Sequence, residues 1–102
     1  MMKNKVKVAI VQGNPVQVDL QAALQQTLEW IEAAAGKGAD LVVFGETWLT
    51  GYPVWLDYCP GMAVWDHEPT KEGFTWMHQN GVEVPGPVTD TLWALSRKHQ
   101  LT

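Results

Sequence analysis

The chain has 102 residues, 46% of them hydrophobic, which is the composition of one ordinary folded domain rather than of a disordered segment. Seven Lys and Arg stand against 11 Asp and Glu, a formal net charge of -4, so neither the phosphates of nucleic acid nor an anionic membrane surface is expected as a partner. The apolar run from Val8 to Val11 is too short for a signal h-region or a membrane span, and a lone cysteine, Cys59, excludes an internal disulfide and a Cys-rich zinc site, which leaves a reducing, cytoplasmic setting as the default.

Val6, Val8 and Ile10 alternate with Lys7 and Ala9, and Val11 extends the run, which predicts a first strand from about Lys5 to Gln12. Gly13-Asn14-Pro15 breaks it. Asp19 is suited to cap the next helix, because its carboxylate can accept from the free amides of a first turn. Leu20, Leu24, Leu28, Ile31 and Ala35, with Ala23, Thr27 and Ala34 beside them, recur every three or four positions and predict one helical stripe. Gly36-Lys37-Gly38 ends it, since glycine enters the left-handed conformation of a helix terminus without steric cost.

Leu41-Val42-Val43-Phe44 is continuously apolar, as in a strand covered on both faces. Strand, helix and strand in that order predict a parallel β-α-β unit. An aromatic, Gly- and Pro-rich loop follows, with Trp48, Tyr52, Trp55, Tyr58 and Trp65 in it, and loops of that length inside an α/β unit are usually functional. A second helix is predicted from Thr70, with Phe74, Met77 and His78 on one face, ending at Gly81. Pro85-Gly86-Pro87 leads into a third that runs to about His99, with Leu92 and Leu95 inward. The chain then reaches Gln100-Leu101-Thr102, where an α/β pattern calls for another strand. Two short strands cannot cover each other's edges and faces, so residues 1–102 read as the incomplete opening portion of a single larger domain.

The chemistry is concentrated in Phe44-Gly45-Glu46-Thr47-Trp48-Leu49-Thr50-Gly51-Tyr52-Pro53, which puts a carboxylate directly beyond a parallel strand, where α/β proteins place their ligands. Walled by Trp48, Tyr52 and Trp55, Glu46 would lie in a reduced dielectric that raises a carboxyl pKa and suits it to exchange protons near neutral pH. A solvated loop glutamate is the plainer alternative, and the residues alone leave both open. Trp48 and Tyr52 flank the carboxylate and are the candidate substrate-pocket residues.

Val8-Ala9-Ile10-Val11-Gln12, the helix from Asp19 to Ala35, Gly38-Ala39-Asp40-Leu41-Val42-Val43-Phe44, the Glu46-to-Pro53 motif and Val84-Pro85-Gly86-Pro87 together resemble the opening of the nitrilase superfamily of carbon-nitrogen hydrolases. The resemblance covers essentially the whole chain. Val54-Trp55-Leu56-Asp57-Tyr58-Cys59-Pro60 resembles the nitrilase branch more than the amidase branches. Gly45 stands where a proline is frequent, which keeps the carboxylate in place but leaves the turn less constrained.

The resemblance implies the N-terminal part of a four-layer αββα sandwich, with Glu46 as the general base of a Glu, Lys and Cys triad whose other two members lie downstream. It implies a thiol attacking a nitrile carbon, loss of ammonia, and water releasing a carboxylic acid from a thioester. It implies no metal or organic cofactor, a small-molecule nitrile or amide as substrate, and a homo-oligomer. By itself the chain would be inactive. Two rival readings stay open: an amidase or carbamoylase of the same superfamily, and a small non-catalytic α/β binding module.

The remaining polar residues have plainer readings. Cys59 lacks a setting that lowers a thiol pKa and reads as structural or surface. Asp66-His67-Glu68 lacks a spacing that converges three metal ligands. His78 and His99 stand alone on helices, while Trp30, Trp76 and Trp93 read as packing residues at a helix face or subunit contact.

Overall fold

The structure, a computed structural model, describes residues 4–61 and 64–102. Among the described residues, two strands and four helices follow in the order β1 (Val8–Ile10), α1 (Leu20–Gly36), β2 (Leu41–Val43), α2 (Trp55–Tyr58), α3 (Glu68–Gln79) and α4 (Pro87–His99). β1 and β2 pair in parallel, Val8 opposite Leu41, Ala9 opposite Val42 and Ile10 opposite Val43, so the α/β reading and its β-α-β unit hold. β1 is shorter than expected, although Val11 still donates to the Val43 carbonyl at 2.9 Å beyond its end.

Asp19 caps α1 as its position predicts, accepting from the Ala22 amide at 3.0 Å. At the other end Gly38 adopts φ +75, and the Ala39 amide reaches back to the Ala34 carbonyl at 3.1 Å, which satisfies an orphan carbonyl of the last turn. α4 ends the same way on Gln100 (φ 50), with Leu101 donating to the Ser96 carbonyl at 2.9 Å. These two reversals swing Ala39 and Leu101 into the core. There they meet Ile31 and Ala34, with Ala9, Val42, Phe44, Leu92 and Leu95 packed around them.

Two expectations are corrected. The centre of the buried face of α1 runs through Ala23, Thr27, Ile31 and Ala34, while the leucines sit half-buried at its margins. β2 is not covered on both faces. Only the face carrying Ala9 and Val42 packs against α1 and α4; Val8, Ile10 and Val43 point the other way and are exposed, Ile10 by 70%. Period-two alternation makes this unavoidable for a pair of strands with helices on one side.

α3 begins at Glu68 rather than Thr70, with Pro69 in its first turn, where the missing amide costs nothing. It forms an arm with α2: Trp55 packs edge-on against Phe74 at 5.3 Å, over Gly73, where a Cβ would lie 2.9 Å from the indole. Phe74 and His78 are nonetheless exposed, so the face expected to pack is only partly used. Asn80 ties the arm to the core by accepting from the Leu20 amide at 3.2 Å. The radius of gyration is 16.5 Å against about 13 Å for a compact chain of this length. No helix among the described residues is long and apolar enough to cross a membrane.

Candidate functional site

Beyond β2 the chain passes through Phe44 and Gly45 into a turn over residues 46–50. Glu46 opens that turn at the carboxyl end of the strand, and it is exposed. Thr47 follows with φ 56, a left-handed conformation that a β-branched residue adopts only under strain. The surrounding contacts hold it: Gly51 donates to the Thr47 carbonyl at 2.8 Å, and the Thr47 hydroxyl donates to the Glu46 carbonyl at 2.6 Å. Val18, on the lead-in to α1, donates to the Thr50 carbonyl at 3.0 Å. Gly51 has φ +81, where a side chain would be strained.

The aromatic wall drawn around Glu46 does not form. Trp48 is 7% exposed and turns inward, its indole N–H donating to the Thr27 hydroxyl at 2.9 Å, while that hydroxyl donates to the Ala23 carbonyl at 2.7 Å. The reason is the indole nitrogen: a donor taken out of water without an acceptor costs about 1–3 kcal/mol, and Thr27 is the acceptor within reach. Trp55 is committed to α3. Tyr52 stands 51% exposed past the turn. Of the three expected neighbours, none shields the carboxylate.

One flank of Trp48 does border an apolar groove of about 560 Å³, lined by Ile31, Phe44, Leu49, Leu92 and Leu101 among others, and tilted against Phe44 at 5.4 Å. Glu46 and Tyr52 lie outside its lining. Thr27, at the groove's floor, is the residue that composition made easiest to pass over; its signal was a hydroxyl in the middle of an otherwise apolar helical stripe.

The other polar candidates resolve into local contacts. Lys71 donates to Asp66 at 2.6 Å and to Glu68 at 3.0 Å, which holds its ammonium pKa above the ordinary value. His99 Nε2 lies 3.0 Å from the Glu32 carboxylate, joining α4 to α1. Cys59 is an exposed free thiol at the end of α2. Trp93 is exposed, with the Arg97 guanidinium 4.8 Å from its ring. Among the described residues no group of three His, Cys, Asp or Glu side chains could hold a metal ion.

A carboxylate at the end of a parallel strand, on a strained turn, is matched by relatedness across the chain: a family model for carbon-nitrogen hydrolases covers residues 7–102. The chain belongs to the carbon-nitrogen hydrolase family. Within the family it is similar to a nitrilase 2 from an unknown prokaryotic organism, 41% identical over 88 residues, which cover 86% of this chain and 26% of that relative. It is similar to nitrilase 2 of Arabidopsis thaliana, 35% identical over 96 residues, covering 94% of this chain and 28% of the relative. A nitrilase from Pseudomonas syringae pv. syringae is 50% identical over 58 residues, 55% of this chain and 17% of the relative. This carbon-nitrogen hydrolase chain thus matches between 17% and 28% of the length of these relatives. The family resemblance read from the Glu46-to-Pro53 motif is correct, and the nitrilase branch is the one its relatives carry by name.

Proposed function

We propose that these residues form the opening part of a nitrilase-type hydrolase domain with an αββα layered fold, in which Glu46 is the general base for converting a small nitrile to a carboxylic acid and ammonia. The observation that carries this reading is the position of Glu46: it stands on the turn directly beyond the carboxyl end of β2, with its side chain exposed at the strand end where α/β ligands bind. The left-handed Thr47 beside it supports a functional role, since backbone strain persists where the surroundings over-determine it and gathers at working sites. The nitrilase names of the relatives support nitriles as the substrate class.

In this reading the triad's Cys and Lys come from outside residues 1–102. Glu46 takes the thiol proton as sulfur adds to the nitrile carbon, and later takes a proton from the water that opens the thioester. Addition of sulfur gives a thioimidate; a first water adds to its carbon and the nitrogen leaves as ammonia, giving the thioester that a second water then opens, with no redox step. Tyr52, exposed just past the turn, borders the substrate, while Trp48, turned inward, acts from beneath by holding the turn. The domain works in a homo-oligomer, which the exposed aromatic residues at the end of α2 and between α2 and α3 support: Tyr58 is 82% and Trp65 94% exposed.

Glu46→Gln in the full-length enzyme tests the reading, because it keeps the side chain's size and removes its ability to accept a proton. General-base contributions are ~10²- to 10⁴-fold in rate, and a loss at least that large in kcat is expected, with KM affected less. Near-normal turnover by this variant, or hydrolysis of nitriles by the purified 102 residues alone, would overturn it. Turnover of amides in place of nitriles would move the enzyme to the amidase side of the family and leave the base assignment intact.

A further inference from the structure

We propose that Thr27 is a positioning residue for Glu46, acting through the indole of Trp48; the inference rests on the reading of Glu46 as the general base. The hydroxyl of Thr27 is used twice. Its proton goes to the Ala23 carbonyl at 2.7 Å, one turn earlier in α1, and its oxygen accepts the Trp48 N–H at 2.9 Å. The first bond fixes the side-chain rotamer, so the lone pair that receives the indole points in one direction set by the helix. Ala23, Thr27 and Trp48 are all buried.

Trp48 is two residues past Glu46 on the same turn. With Trp48 held to α1, and Thr50 held at 3.0 Å to Val18 on the lead-in to that helix, the turn is fixed at two points, one on the crossover helix and one just before it. Glu46 then projects from a segment whose backbone is constrained on its far side, while its own carboxylate stays free. Stability alone does not require this arrangement, since replacing both partners of a buried hydrogen bond by apolar groups of similar shape is close to neutral. What an apolar pair would not supply is direction. A carboxylate that must reach a thiol at hydrogen-bond distance depends on that direction, and a misplacement of about 1 Å can cost ~10²-fold in rate.

The test uses the full-length enzyme, with kcat counted per titrated active site so that a reduced folded fraction does not enter. Thr27→Val keeps the shape and removes the acceptor; Thr27→Ser keeps the acceptor. Expected is a loss of about tenfold or more in kcat for the Val variant with KM within about twofold, and near-normal turnover for the Ser variant. In a Trp48→Phe background, where no indole N–H remains, Thr27→Val should lower kcat no further. Glu46→Gln is measured alongside. If Glu46→Gln turns over normally, the base reading fails and the positioning role falls with it. If Glu46→Gln is inactive yet Thr27→Val keeps its kcat, or loses it equally in the Ser variant and in the Phe background, the positioning role alone is wrong.

Discussion

The Val42 amide donates to the Thr102 carbonyl at 2.9 Å while the Thr102 amide donates to the Asp40 carbonyl at 3.0 Å, so Thr102 lies in parallel register beside β2, on the edge away from β1. The αL reversal at Gln100 makes this possible by turning the chain straight from α4 to the sheet, and it drives Leu101 into the core at 3% exposure. Leu101→Ala should therefore cost about 2–5 kcal/mol of unfolding free energy, the range for a buried leucine that leaves a cavity. Chemical denaturation of the full-length enzyme and its Leu101→Ala variant measures it, and a change under about 1 kcal/mol would show that Leu101 does not close the core.

The open face of the sheet makes a second prediction. Val6, Val8, Ile10 and Val43 are exposed together with the aromatic arm, and the long dimension of 55 Å leaves little of the chain to cover them. The 102-residue chain by itself should self-associate or unfold with low cooperativity. Sedimentation and denaturant titration would show it. A monomer with a single transition and a stability of about 5 kcal/mol, the low end for native domains, would contradict it.

Tyr52 offers a separate handle on the substrate. It is half out of the protein, donates nothing to the core and follows the Gly51 hinge of the turn. Tyr52→Ala in the full-length enzyme should reorder kcat/KM among aliphatic and aromatic nitriles while leaving the denaturation midpoint nearly unchanged, as for an exposed residue away from the core. Equal ratios across both nitrile classes would remove Tyr52 from the pocket.

The elements were legible wherever local chemistry decides. Asp19, Gly38 and Pro87 mark helix ends by capping, a left-handed φ and a fixed φ respectively, and each marks the end it predicts. The position of Glu46 was legible for the same reason, since it depends only on where β2 stops. The aromatic wall was not. Proximity in the chain says which rings are near Glu46, but which way each ring faces depends on partners far away in sequence: Thr27 for the indole N–H of Trp48, Phe74 and Gly73 for the face of Trp55. A buried donor goes where its acceptor is, and a flat ring goes where a glycine leaves room. Sequence by itself determined the family, the parallel unit and the place of the carboxylate. Only the tertiary structure decided that the turn carrying it is held from beneath by a helical threonine, because that bond joins two residues whose nearness exists only once α1 has crossed over to β2.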